Sequence, residues 1–288
     1  LKELFFSLIA QWKVIALCII LSLICALLYL RVTPASYSTD AMILVEDGKS
    51  AASAALLGNL GSLAGSAGAK SPADAEIEIL NSRLILGQVI KNLNLNILIQ
   101  DNQDGLFNRL ISQDKVKQDY NPDAVVYTRN QSSLLIKKLD VPTYYEDKPL
   151  ILSFVGQNQF SLSYKDEVIF KGNLNQMNQS SGQAGLWNVQ IYSKTPFKQT
   201  FTLRKLSLPS AVKLVTENYT VSEKGKMTGV IGLNYSGTDK GTISDVLNNI
   251  LNVYSAQNVE RKTLESKQTL SFLDKQLPEL KKQLEESE

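Results

Sequence analysis

The sequence contains no histidine among its 288 residues, which removes the commonest metal ligand and the usual general base near neutral pH. Hydrolase and metalloenzyme chemistry lose their most frequent participant, and only carboxylates, Lys, Tyr, Ser and Thr remain to carry a reaction. Charge of one sign is also missing. Thirty Lys and Arg stand against 28 Asp and Glu, a balance of +2, far short of what a chain built to neutralise phosphates carries. Nucleic acid is therefore not the expected partner. Cysteine is almost absent, and Cys18 and Cys25 lie seven residues apart in one apolar run. On a helix that separation is ~10 Å, too long for a disulfide between them. Everything after Arg31 lacks cysteine, a pattern compatible with either redox compartment. What is present is a core: 44% of the residues are hydrophobic, in a chain long enough for about two domains.

The run WKVIALCIILSLICALLYLR has no charge between Val14 and Leu30 and is bounded by Lys13 and Arg31. As a helix it spans roughly 25 Å. Trp12 and Tyr29 suit the headgroup level, and Lys13 and Arg31 can snorkel to complete a ~30 Å crossing. Thr33 and Ala35 would serve a cleaved signal peptide, but the apolar run is longer than a usual signal core. Leu1, Leu4, Phe5, Leu8, Ile9 and Trp12 also form an amphipathic stripe suited to the interface. Residues 1–13 thus read as a cytoplasmic or interfacial stub and 14–30 as a transmembrane helix. Lys2 and Lys13 before it against Arg31 after it place the N-terminus inside and the bulk of the chain outside.

Beyond the membrane the pattern is α+β. YSTDAMILVED alternates like a strand. The uncharged stretch from Ala51 to Ala69 carries four Gly and three Ser against four Leu, which makes it a loop and not a second span. From Ser71 a helix is expected, with Ser71 as cap, Pro72 at the first helical position and Ile77, Leu80, Leu84, Leu86 and Ile90 as its buried face; Gly87 should bend or break it. Residues 31–113 form the first part of this α/β domain. Residues 114–210 read as a β-rich insert of sandwich or jelly-roll type, with strands LILSFV, QFSLSY, EVIFKG, WNVQIYS and FTLRKL separated by turns at GQNQ, KDE and SGQAG. Residues 211–241, with AVKLVTENYTVSE and GVIGLNYSG read as strands, return to the first domain.

From 242 to 288 a long helix opens at Thr242 or Ser244, with a kink expected at Pro278. Leu270, Leu273, Leu277, Leu280 and Leu284 step by threes and fours, the seam of a helix that lies against a partner helix. No capping residue follows Leu284 and no initiator Met precedes Leu1, so the segment reads as part of a longer protein.

Residues that could carry chemistry each have a plainer role. GLNYSGTD resembles a phosphate loop only in Gly232 and Gly237; the Lys that reaches the phosphates is missing, and a strand running into a turn explains it. Glu76 and Glu78 flank Ile77 and so point to different helix faces, which suits a solvated edge and not an acid and base pair. Tyr144, Tyr145, Trp187 and Tyr192 could stack on sugar rings or fill a β core. The basic pairs Lys137/Lys138, Arg204/Lys205, Arg261/Lys262 and Lys281/Lys282 are balanced by nearby carboxylates and suit wet faces. No catalytic, cofactor-binding or metal-binding residue emerges.

SPADAEIEILNSRLILGQVIKNLNL, together with the stretch from YSGTDKGTISDV to KKQLEESE and the single preceding membrane helix, resembles the Wzz-domain polysaccharide co-polymerases. Within them it resembles most the Wzc-like bacterial tyrosine autokinases of capsule and exopolysaccharide export. The resemblance covers the membrane helix, residues 71–98 and the helix from 242; the β-rich middle matches by placement. It implies an inner-membrane protein with this segment periplasmic, embedded in the lipid bilayer and assembled as a homo-oligomeric ring, an octamer. It also implies work with a polysaccharide polymerase, an outer-membrane export channel and the nascent polysaccharide. A second membrane helix and a cytoplasmic kinase using ATP and magnesium would follow residue 288, so no active-site position carries over. A non-enzymatic chain-length regulator ending after its second membrane helix shares this plan, and a periplasmic adaptor with a coiled-coil arm is a further alternative.

Overall fold

The computed structural model describes residues 12–33, 35–45, 72–102, 116–182, 185–193, 199–225 and 228–285. The stub stripe from Leu1 to Ile9, the Ala/Gly/Ser loop, the Ser71 cap and the side chains of Leu273, Leu277, Leu280 and Leu284 lie outside the described residues. The chain is mixed α and β and divides into two compact units. One comprises Leu1–Tyr37, Asn94–Ser210 and Ser236–Lys240; the other comprises Ser38–Leu93, Ala211–Tyr235 and Gly241–Glu288.

Helix α1 (Trp12–Val32) is the one described helix long and apolar enough to cross a membrane. Leu17, Leu21, Tyr29 and Leu30 are each more than half exposed, and Cys18 and Cys25 are free and exposed. A helix apolar on every side and left uncovered by the other described residues has the pattern that suits lipid better than water.

The β-rich unit contains β2 (Ile97–Asp101), β3 (Val116–Tyr120), β4 (Val125–Arg129), β5 (Ser132–Asp140), β6 (Leu150–Val155), β7 (Gln159–Tyr164), β8 (Glu167–Asn173), β9 (Met177–Gly182), β10 (Gly185–Ser193) and β11 (Phe201–Lys205). These form two five-stranded sheets, in the orders β3-β4-β5-β10-β9 and β2-β11-β6-β7-β8. Every neighbouring pair is antiparallel. Alternation does the work: in β10 Trp187, Val189, Ile191 and Ser193 are buried while the residues between them are not, as the pleat requires. Buried residues of both sheets, among them Leu134, Ile136, Leu150, Phe160, Trp187 and Phe201, form one hydrophobic cluster. The KDE turn is a two-residue hairpin in which Lys165 and Asp166 both take positive φ, 50° and 65°, closing Tyr164 onto Glu167. Ile97–Asp101, which the sequence groups with the segment before 114, pairs along its length with β11.

The second unit holds a three-stranded sheet, β1 (Tyr37–Leu44), β13 (Val230–Gly237) and β12 (Tyr219–Glu223), in the order β1-β13-β12. Its helices are α2 (Pro72–Leu80), α3 (Arg83–Asn92), α4 (Leu208–Thr216) and α5 (Lys240–Glu285). Three expectations change here. The helix from Pro72 breaks at Asn81–Ser82 and not at Gly87, because Ser82 caps a new helix by accepting a hydrogen bond from the Ile85 N–H. Gly87 sits buried within α3. Leu84, expected on the buried face, is 67% exposed, since the break rotates it away from Ile85, Leu86, Val89 and Ile90. The stretch AVKLVT is helical and not a strand: Pro209 suits a helix's first turn, and Ala211, Val212 and Val215 fall on one face at helical spacing.

Helix α5 runs 46 residues, about 69 Å at 1.5 Å per residue. Ile243, Val246, Leu247, Ile250 and Tyr254 are buried at helical spacing, and past Tyr254 no described side chain of α5 is buried. Its first four turns belong to the core of the unit, and the rest of its described length does not.

Candidate functional site

The chemistry of the second unit gathers where α5 leaves that core. Glu76 of α2 accepts a hydrogen bond from the Tyr254 hydroxyl at 3.0 Å and forms an ion pair with Arg261. Arg261 also donates to Asn258 at 3.0 Å. One helical face of α5 presents Tyr254 and Arg261 two turns apart, and Glu76 bridges them. Burial, together with the hydrogen bond to Glu76, pushes the Tyr254 hydroxyl up to about 12. A second tie, Asn92 Nδ2 donating to Asn249 Oδ1 at 3.0 Å, holds α3 to the same helix.

Beside this network lies a groove of about 450 Å³ lined by Glu76, Ile79, Leu84, Tyr254, Arg261 and Leu264, among others. Its walls are mainly apolar, and Leu84 and Leu264 are 67% and 53% exposed. Such a surface suits packing against another apolar element, not proton or group transfer.

Glu76 was expected on a solvated helix edge; its side chain is instead only 12% exposed. Glu78 alone fits that expectation, being exposed. Partners 178 and 185 residues away leave no local signal, so sequence spacing could not have paired Glu76 with Tyr254 and Arg261.

The four aromatic candidates separate. Trp187 is buried and stacks on Phe170 at 5.4 Å, so it belongs to the β core. Tyr145 lies 5.1 Å from Trp187 and 5.9 Å from Tyr164, and Tyr144, 61% exposed, meets Tyr145 edge-on at 5.0 Å. Tyr192 stands apart from these three, its ring 5.2 Å from Lys137 and its hydroxyl accepting from Gln190. The segment GLNYSG lies within β13, and Thr238 and Asp239 link it to α5, a strand and turn as the missing Lys implied. Of the basic pairs, Lys138 meets Asp140 at 3.4 Å, and burial lowers the Lys205 ammonium while Asp140 and Glu146 oppose that shift. Among the described residues no group of His, Cys, Asp and Glu is placed to hold a metal ion.

The described residues thus comprise an apolar helix long enough to cross a membrane, a mixed α/β unit that includes a long helix, and a β-rich unit. Comparison with known proteins makes that specific. Residues 1–93 match the family described as chain length determinant protein, Wzz, and residues 100–206 match the N-terminal domain of tyrosine-protein kinase Wzc. The chain thus carries, in succession, a Wzz chain-length-determinant domain and a Wzc N-terminal domain.

Among its relatives, the tyrosine-protein kinase ptk of Acinetobacter johnsonii is 50% identical over 290 residues, covering 100% of this chain and 39% of that protein. Tyrosine-protein kinase wzc of Salmonella typhimurium is 29% identical over 97% of the chain and 36% of its own length. Tyrosine-protein kinase etk of Escherichia coli is 32% identical over 76% of the chain and 28% of its own length. The chain thus spans less than two fifths of the length of these curated relatives.

Proposed function

We propose that this segment is the membrane anchor and periplasmic scaffold of an inner-membrane protein-tyrosine autokinase that controls polysaccharide chain length and export. The observation that carries the reading is the succession of a chain-length-determinant domain and a Wzc N-terminal domain behind one apolar helix. In it, α1 crosses the bilayer with Lys2 inside, and the two five-stranded sheets form a periplasmic sandwich. Helix α5 begins a helical protrusion that closes with a returning helix of the same chain.

Copies assemble as a ring, an octamer, serving a polymerase and an outer-membrane export channel. ATP and magnesium act in a kinase domain absent from these residues, so the segment itself turns over nothing. Kinase-named relatives and the Wzc N-terminal match favour this over a non-enzymatic chain-length regulator.

The test uses the full-length protein in detergent. Mass photometry should give a closed oligomer, and incubation with ATP and magnesium should yield phosphotyrosine. An oligomer without phosphotyrosine supports the regulator, and a monomer overturns the ring. Topology is checked by cysteine labelling of intact spheroplasts, where a Cys at Ser53 should be marked from outside and one at Lys2 should not.

A further inference from the structure

One surface of the β-rich unit has a composition that its core does not require. The segment from Val141 to Pro149 joins β5 to β6 and carries a single helical turn at Thr143–Tyr145. It is held rigidly. Asp147, in a left-handed conformation with φ 62°, donates its N–H to the Lys205 carbonyl and accepts from the Ser207 hydroxyl at 2.6 Å and the Ser207 N–H at 3.0 Å. Partial burial opposes ionisation of the Asp147 carboxyl, but the Ser207 hydrogen bonds, with Ser210 and Arg204, outweigh it and hold the group below its ordinary value. Tyr145 is braced against Trp187 of the core. The loop therefore presents its remaining side chains on a fixed base.

Those side chains include an exposed ring and a cation, and the neighbouring β7–β8 hairpin adds a second cation. The Lys148 ammonium lies 3.0 Å from the Tyr144 ring centre, 5.3 Å from that of Tyr164 and 5.9 Å from that of Tyr145. Lys165, from the β7–β8 hairpin, lies 5.5 Å from the Tyr164 ring centre. Among the described residues neither ammonium forms an ion pair with a carboxylate. Tyr144 remains 61% exposed although Lys148 rests on it. An exposed tyrosine on a rigid turn suits the apolar C–H face of a pyranose, and ammonium groups held by ring faces retain their capacity to meet an anion. Glu146, Asp166 and Glu167 adjoin the patch in sequence, so a densely charged polyphosphate would be repelled where a sparsely charged chain would not.

We propose that Tyr144, Tyr145 and Tyr164 with Lys148 and Lys165 form a subsite for an acidic saccharide. A pyranose rests on the Tyr144 ring, and its carboxylate reaches the ammonium groups flanking Tyr164. The subsite rests on the reading that this protein serves polysaccharide assembly, and it adds that the glycan touches this face and bears uronic acid.

The test is saturation-transfer difference NMR on the full 288-residue chain in lipid nanodiscs, with tetragalacturonate as probe and maltotetraose as the neutral counterpart. Tetragalacturonate should show saturation transfer to its ring protons, weakened about tenfold in apparent affinity by Tyr144→Ala and by Lys148→Met; each of these losses corresponds to one charge-assisted or stacking contact. Maltotetraose should bind at least tenfold more weakly, about one such contact. Equal binding of the two probes, no binding of either, or binding indifferent to both substitutions overturns the subsite. Circular dichroism separates loss of binding from loss of fold, and Lys165→Met supplies a second cationic test at an exposed turn. Oligomeric state and phosphotyrosine are read separately, so a failed subsite with an intact ring and kinase leaves the functional reading standing.

Discussion

Asp101 and Glu76 each bring a carboxylate to a tyrosine hydroxyl and an arginine, but in different surroundings. In the β-rich unit Asp101, 5% exposed, accepts from the Tyr127 hydroxyl at 2.8 Å and pairs with Arg129, so β2 of one sheet is tied to β4 of the other. In the helical unit Glu76 holds Tyr254 and Arg261, with Arg261 39% exposed. The first pair is enclosed by a hydrophobic core and the second sits at the rim of a groove. Identical chemistry thus does two jobs. Inside, an unpaired charge has no water to retreat to, so the pair fixes how two sheets meet; at the rim water can replace either partner, so the pair orients the exit of a helix from its domain.

That contrast should break most visibly at Asp101. Asp101→Ala removes the buried carboxylate that Arg129 and the Tyr127 hydroxyl meet and should cost about 3–5 kcal/mol, measured by denaturant unfolding of the purified chain. Glu76→Ala removes a pair that is open on one side and should cost only about 1–2 kcal/mol in the same measurement. Equal costs would mean that burial does not separate the two sites.

Alkaline titration sharpens the comparison further. The Tyr254 hydroxyl rises from 10.0 to about 12 on folding, so the stability it contributes is fully present below about pH 10 and is lost as pH climbs from there towards 12. Stability of the unaltered chain should fall faster over that window than that of Tyr254→Phe, and parallel curves would contradict the burial of the hydroxyl. The smallest effect on folding belongs to Leu264→Asp, whose side chain is already 53% exposed: a change within about 0.5 kcal/mol. If the groove packs against another helix in the assembled protein, the same substitution lowers the oligomer fraction of the full-length protein in mass photometry. An unchanged oligomer would remove the groove from the interface.

Sequence periodicity carried much of the β-rich unit. Strands such as QFSLSY and WNVQIYS alternate because each has one face on a core and one towards water, a local signature with period two. The hairpin at Lys165–Asp166 was legible as turn chemistry for a similarly local reason. AVKLVT is ambiguous in sequence because six residues rich in Val and Leu satisfy strand and helix patterns alike, and the stretch is too short for length to separate them. Sequence points to Gly87 for the break that falls after Leu80 because glycine is the more conspicuous breaker, whereas Ser82 acts through one side-chain hydrogen bond from a backbone N–H.

The sequence by itself determined that the chain has an apolar helix fit to span a membrane, a β-rich middle and a long helix after it, since each depends on the order and hydrophobicity of neighbouring residues. Tertiary structure alone decided that Glu76 meets Tyr254 and Arg261, that Asp101 ties two sheets together, and that Tyr144, Lys148, Tyr164 and Lys165 share one surface. Those pairings join residues far apart in the chain, and a contact between distant residues depends on how whole elements pack, which no local spacing encodes.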